Sequence, residues 1–348
     1  MTDIDTRPLD PPPVDALLVV GFGGPEGPDD VLPFMENVTR GRGIPAERLV
    51  EVSSHYLDLF DGVSPINQQC RDLVAALQAE LAARGPDLPV YWGNRNWHPF
   101  LAETLEQMQA DGRRHALALV TSAFPSYSGC RQYREDLAGA RGPGAPLVTK
   151  LRHYYAETGF LEPMRATVTA ACDGLTEPRL VFTAHSIPMV MARTSGPTGG
   201  AYVEALRHAA GEIAGDRPWD LVFQSRSGPP QVPWLEPDIS DHLQALYDDG
   251  VRAVVMVPVG FTSDHVEVLF DLDIQAQERV AATMPGLLAR RAATVGTAPA
   301  FVAMLRDLVV ERLAAPEELA THGCVATHDR CPVGCCPPPP PRRGEGGR

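Results

Sequence analysis

The sequence predicts an α/β protein built on parallel sheets, arranged as two smaller sheets. Two observations predict the class and a third predicts the division. Short, near-continuous apolar runs recur along the chain, as strands covered on both faces require. Amphipathic stretches of helical period lie between them, and β–α alternation calls for parallel pairing. Turn signals then crowd into 124–146 ("FPSYSG", "GARGPGAP"), and the strand spacing restarts after them.

The elements follow in order. "DALLVVGF" (15–22) is an apolar run and reads as the first strand, and 67–84 as the helix after it. "LPVYWGN" (88–94) is the next strand, with helix 99–111 behind it, and "HALALVTSAF" (115–124) the third. Helix 159–174 precedes strand "RLVFTAH" (179–185), and helix 201–214 precedes "WDLVFQS" (219–225). Helix 238–249 leads to "VRAVVMVPVGF" (251–261), followed by helices at 265–282 and 298–314. The expected organisation is a disordered lead at 1–13 and an N-terminal domain at 14–128. A C-terminal domain at 129–297 follows, then a helix with a cysteine-rich segment at 298–336 and a disordered tail at 337–348.

A net charge of −14 argues against general binding to nucleic acid or anionic membranes, both of which need a basic surface. The acidic, proline-rich start "MTDIDTRPLDPPP" has neither the basic nor the apolar region of a signal peptide. Stretches such as "AVVMVPVGF" are far shorter than the roughly 18–20 residues that span a bilayer. A cytoplasmic location without an integral membrane segment is expected. In that compartment a thiol cluster is more often metal-binding than disulfide-bonded.

Open α/β sheets bind ligands outside the carboxyl ends of their strands, where the unusual residues of this chain collect. In "VFTAHSIP" a strand runs into His185 before Pro188 ends it; the imidazole can accept a proton, touch a metal, or satisfy a turn. In "VPVGFTSDHVEVLFDLDIQ" Ser263 or Asp264 can cap a helix. Glu267, Asp271 and Gln275 then fall at i, i+4 and i+8 on one face, as a cleft-facing relay or a solvated acidic face. His265 reads as a helix-surface histidine. "VVGFGGPEGP" lacks the spacing of a dinucleotide turn and the Lys-Ser/Thr of a P-loop, so it is expected to let backbone approach a ligand closely. Loops "GNRNWHP" (93–99) and "SRSGPPQVPWLEPD" (225–238) place Arg and Trp at strand ends, as a flat aromatic or anionic ligand would need.

Four cysteines crowd into "CVATHDRCPVGCC": Cys324, Cys331, Cys335 and Cys336. Zinc knuckles pair cysteines at C-x₂₋₄-C, a spacing met here only at the end, although His322 and His328 are near. Side chains of adjacent cysteines diverge, so three ligands from the tail and one from elsewhere suit a 2Fe–2S site. Cys70 and Cys172 lie in helical patterns and read as small buried apolar residues, whereas Cys130 lies in a loop.

Taken together, "TAHSIP", "VGFTSDHVEVLFDLD", "QSRSGPPQVPWLEPD", "GVSPIN" (62–67) and "NVTRGRGIP" (37–45) resemble ferrochelatase, in the family's order and over about 15–336. The resemblance implies a chelatase-like fold of two Rossmann-like domains, each with a parallel sheet flanked by helices, with a porphyrin cleft between them. It implies Fe2+ insertion into a porphyrin by a monomer. "FGGPEGP", "NVTRGRG" and the C-terminal cysteines resemble the actinobacterial type. That type takes coproporphyrin III to Fe-coproporphyrin III on the way to haem b; the animal-type branch uses protoporphyrin IX. His185 would be the proton acceptor or a ligand on the Fe2+ route, working with Glu267 and Asp271; His185 and Glu267 would hold the incoming Fe2+. Phe22, Ser64 and Trp234 would lie on the substrate side, and Arg40, Arg42 and Arg95 would pair with propionates. Phe22 stands where some relatives have tyrosine, so no phenolate is available; Gln275 stands where some have a third acid. The implied 2Fe–2S ligands are Cys130, Cys324, Cys331 and Cys336 (or Cys335). Rival readings are a ferrochelatase for protoporphyrin IX, a chelatase for another metal or tetrapyrrole, and a non-enzymatic haem- or iron-binding Fe–S sensor.

Overall fold

The structure, a computed structural model, describes residues 11–40, 46–314, 331–332 and 334–339. Arg42 and Cys324 lie outside the described residues, as do most of the expected lead and tail. The lead is shorter than expected: the Pro12 carbonyl pairs with the His115 ring at 2.8 Å, which ties residues 11–13 to the first sheet.

That sheet holds β1 (Ala16–Gly21), β2 (Val90–Asn94), β3 (His115–Val120) and β4 (Leu147–Lys150), all parallel, in the order β2-β1-β3-β4. Its helices are α1 (Pro28–Val38), α2 (Ala46–Phe60), α3 (Ile66–Arg84), α4 (Leu101–Ala110) and α5 (Gln132–Ala140). A π-helical turn, Tyr127–Arg131, enters α5. The second half contains α6 (Thr158–Cys172), β5 (Arg179–His185), α7 (Met189–Arg193), α8 (Ala201–Ala214), β6 (Trp219–Gln224), α9 (Ile239–Asp248) and β7 (Ala253–Val257). It closes with α10 (Val266–Val268), a π-helical segment Leu269–Gln275, α11 (Ala276–Thr283), β8 (Leu288–Arg291) and α12 (Pro299–Ala314). Its sheet repeats the first pattern as β6-β5-β7-β8, again all parallel.

The fourth strand of the first sheet comes after the expected boundary at 128/129. "LVTK" pairs with β3, so the first sheet reaches Lys150, past the turn signals. Side chains alternate across each strand. Ala16, Leu18 and Val20 pack under α4 and α5, while Leu17 and Val19 face the other way. That second core does not stop at the sheet. It runs through Phe160 and Met164 of α6 and Phe301 and Leu305 of α12 to Leu180 and Phe182 of β5. The two sheets therefore share one apolar interior.

Topology sets the site. In the order β6-β5-β7-β8 the chain leaves β5 to one side and then returns to the other, so β5 and β7 flank the switch point where their loops diverge. His185 is the last residue of β5, and the chain leaving β7 carries residues 258–267.

Candidate active site

The loop leaving β7 passes directly over the end of β5. The Gly260 N–H donates to the Thr183 carbonyl at 3.1 Å. A Cβ on Gly260 would lie 2.6 Å from the Ala184 Cβ, so a residue without a side chain is needed there. This crossing delivers Glu267 to His185, with Nε2 and Oε2 3.8 Å apart. The His185 Nδ1 faces the Ser186 carbonyl, which can only accept. Nδ1 therefore carries a hydrogen, which leaves Nε2 as the ring nitrogen that faces Glu267. The backbone beneath is also held: Tyr202 on α8 donates its hydroxyl to the His185 carbonyl at 2.9 Å.

Asp271 is placed differently. Strand register sets Gln224 beside His185, and the Gln224 amide donates to Asp271 Oδ2 at 3.2 Å, with the Ser225 hydroxyl on the same oxygen. Burial pushes the Asp271 carboxyl up to about 6, Glu267 adds to the rise, and the two hydrogen bonds oppose it. A carboxyl poised there exchanges protons near neutral pH. The expected single row of Glu267, Asp271 and Gln275 is not what forms. The π-helical segment widens the turn and leaves Asp271 buried, while Glu267 and Gln275 are exposed.

His265 corrects a second expectation. It is no surface histidine: its side chain is 20% exposed, meets Phe261 edge-on at 5.1 Å between ring centres, and lies 3.9 Å from Glu267 Oε2. Burial holds it below the usual histidine range, and Glu267 only partly offsets this, so it stands as a second imidazole beside the carboxylate. Tyr56 of α2 feels the same carboxylate: burial raises its phenol well above the usual range, and the Glu267 charge adds to the rise.

The substrate-side expectations divide. Phe22, at the end of β1, is 36% exposed and flanked by Phe34 at 6.4 Å. Trp234 is half-buried against Gly228 on a loop that pairs with Pro188, just past His185. Arg40 is exposed at the end of α1. Arg95, by contrast, is ion-paired with Asp136, its side chain 6% exposed, and stacked over Tyr133 at 4.4 Å. A propionate would have to displace that carboxylate. Ser64 is 4% exposed and packs against Gly24.

In the glycine loop after β1, Gly23 and Gly24 pack closely against the protein itself. A Cβ on Gly23 would lie 2.9 Å from the Trp97 nitrogen, and one on Gly24 2.7 Å from the Ser64 Cβ. Sequence reasoning missed the pair that holds this loop. Buried Asn67 accepts from the Gly24 N–H (3.3 Å) and donates to the Gly24 carbonyl (3.1 Å), and Asn94 donates to Asn67 (3.2 Å). Two amides at the start of α3 and the end of β2 were the available signal.

The thiols of the C-terminal segment meet the π-helical turn before α5. Cys130, in the π-helical turn, lies 4.0 Å from Cys331, and Cys335 lies 3.9 Å from Cys336, sulfur to sulfur. Cys336 also accepts from the Gly196 N–H at 3.1 Å. Cys331 is held far below the usual thiol range by hydrogen bonds from Cys130 and Cys335, with Lys150 and Arg134 assisting. Sharing that proton raises Cys130, and burial adds to it. Among the described residues no three or more His, Cys, Asp or Glu side chains form a ready metal site. Cys70 is buried, as expected, and burial pushes its thiol up to about 12.

Residues 14–313 match the family model described as Ferrochelatase. The chain belongs to the ferrochelatase family. It is 53% identical to the coproporphyrin III ferrochelatase of Streptomyces griseus, over 94% of each chain. It is 52% identical to that of Streptomyces coelicolor, over 96% of each, and 48% identical to the ferrochelatase of Rhodopirellula baltica, over 93% of this chain and 94% of that one. Among solved structures, SirB from Bacillus subtilis with Fe3+ is 12% identical with a TM-score of 0.54, covering 87% of this chain and 97% of that one. At that identity the likeness speaks for the chelatase-like α/β fold alone. No described helix of this ferrochelatase is long and apolar enough to cross a membrane.

Proposed function

We propose that this chain inserts Fe2+ into coproporphyrin III, giving Fe-coproporphyrin III and releasing two pyrrole protons. The observation that supports it best is His185 Nε2 set 3.8 Å from Glu267 Oε2, with the buried carboxyl of Asp271 close by. Metal entry requires the ring to lose two N–H protons and to bend, and only binding that favours the bent form speeds the step. In this reading His185 takes a pyrrole proton, Asp271 passes protons on, and Glu267 with His185 offers a hard oxygen and an imidazole to the arriving Fe2+. Phe22 and Trp234 flank the ring, and Arg40 and Arg42 meet propionates; Arg95 would do so only by exchanging Asp136 for one. The test compares Fe2+ insertion into coproporphyrin III and protoporphyrin IX. Faster use of protoporphyrin IX sinks the substrate assignment, and unchanged turnover in His185→Ala sinks the catalytic one.

The thiols fit a 2Fe–2S centre. Cys130 and Cys331 are already in contact, Cys336 receives a backbone N–H, and Lys150 and Arg134 lie where a cluster's negative charge would be offset. Cys130, Cys324, Cys331 and Cys336 or Cys335 would hold it. Bound, it would supply a fastening of the C-terminal segment to both halves. Purified protein should carry two irons per chain and lose its visible absorption in Cys130→Ala; stoichiometric zinc in a colourless protein would overturn this.

A further inference from the structure

One turn of α3 holds both walls of the cleft. Asn67 fixes the glycine loop that carries Phe22. Two residues on, the Gln69 amide grips the other half of the molecule: its Nε2 donates to the Asp264 carbonyl at 3.1 Å, and its Oε1 accepts from the Asp264 N–H at 2.9 Å. Asp264 stands three residues before Glu267. Its own carboxylate binds Arg291 of β8 at 3.0 Å, and Arg291 binds Asp273 at 2.8 Å. The segment bearing Glu267 and Asp271 is therefore stapled at both ends by Arg291. It is referred to the N-terminal half by Gln69 and by the Thr262 hydroxyl on the Thr121 carbonyl at 2.8 Å.

We propose that Gln69 is a positioning residue for metal insertion: its paired hydrogen bonds to the Asp264 backbone set where Glu267 and Asp271 stand relative to the porphyrin held by the N-terminal half. The inference rests on the assignment of His185, Glu267 and Asp271 given above. A cavity of about 90 Å³ lined by Gln69, Thr121, Thr262 and Ser263 adjoins the contact, so the segment has room to shift once the amide is removed.

Gln69→Ala removes both bonds, and Gln69→Glu keeps only the one from the Asp264 N–H. The expected result for Gln69→Ala is a kcat lower by roughly 10- to 100-fold, the scale on which an ångström of misplacement acts. Coproporphyrin III affinity, read by fluorescence titration, stays within about twofold, and Gln69→Glu falls between. A partly unfolded preparation would mimic the loss in kcat. The ratio of Fe2+ to Zn2+ insertion on one preparation does not depend on the active fraction, and it is expected to change at least about threefold. An unchanged kcat, or a lower kcat with an unchanged metal ratio, overturns the proposal. His185→Ala and Glu267→Gln run alongside. If they keep turnover, the site assignment fails and takes this inference with it; if they abolish turnover while Gln69→Ala is silent, only this inference fails.

Discussion

Gly260→Ala tests the crossing that brings the two halves of the site together. The added methyl would meet the Ala184 Cβ at 2.6 Å and its Cα at 2.8 Å. Ala184 cannot yield, because it is fully buried in β5 and paired with Phe223 of β6. The loop must lift instead, by about 0.8 Å to reach the 3.4 Å where ordinary contact begins. Glu267 lies seven residues further on, and a shift of that size carries its 3.8 Å approach to His185 beyond ion-pair reach. Overpacking of this kind costs about 1–3 kcal/mol of stability. Misplacing a reacting group by about 1 Å costs up to roughly 100-fold in rate, so a fall of at least about tenfold in kcat is expected. Anaerobic Fe2+ insertion followed by visible absorbance, with urea unfolding on the same preparations, separates the two effects. Wild-type kcat in a folded Gly260→Ala protein would refute the argument that the crossing positions Glu267.

Gly139→Ala is the matching control: nothing lies within 4 Å of its Cβ on the exposed side of α5, so it should stabilise by about 0.5–1 kcal/mol and leave turnover alone. Asp271 gives a pH test. Its folded carboxyl titrates near 6 against an ordinary value of 3.8, so between these pH values the folded state holds the proton more tightly than the unfolded one, and stability falls as pH rises. The loss is on the order of 3 kcal/mol, complete above about pH 6; Asp271→Asn should abolish that slope in urea midpoints taken at pH 4 and 7. If Asp271 passes protons as proposed, insertion activity of the parent should fall on acidification through pH 6 as its carboxyl fills. Asn67→Leu strands both backbone groups of Gly24 and should cost at least about 3 kcal/mol, read as a lower urea midpoint.

The inner strands were legible because strands covered on both faces must be apolar, and 16–21, 116–120 and 253–257 are. The edge strands "LVTK" and "LARR" were not: at four residues each, with polar positions on the open side, they resemble loops. Missing the first misplaced the boundary between halves. That His185 ends a strand was legible from Pro188 just after it; the expected cap at Ser263 or Asp264 does not form, since the helix starts from His265 without a side-chain cap and the Asp264 carboxylate turns to Arg291. What failed was set by contacts distant in sequence. Arg95 is claimed by Asp136, forty-one positions on, and Ser64 lies under Gly24, forty positions back. A four-residue spacing reads the same whether the turn is α or π, so the inward rotation of Asp271 left no trace in the pattern.

The shared interior has a consequence for synthesis. All four strands of the first sheet lie within residues 1–150, yet one face of that sheet is covered by α6 and by α12, which ends at Ala314. Leu73, Leu77 and Leu81 of α3 pack on the same face, but a growing chain leaves the part of it that α12 covers open until that helix is made. A chain cut short before residue 299 keeps this apolar patch exposed to chaperones and proteases.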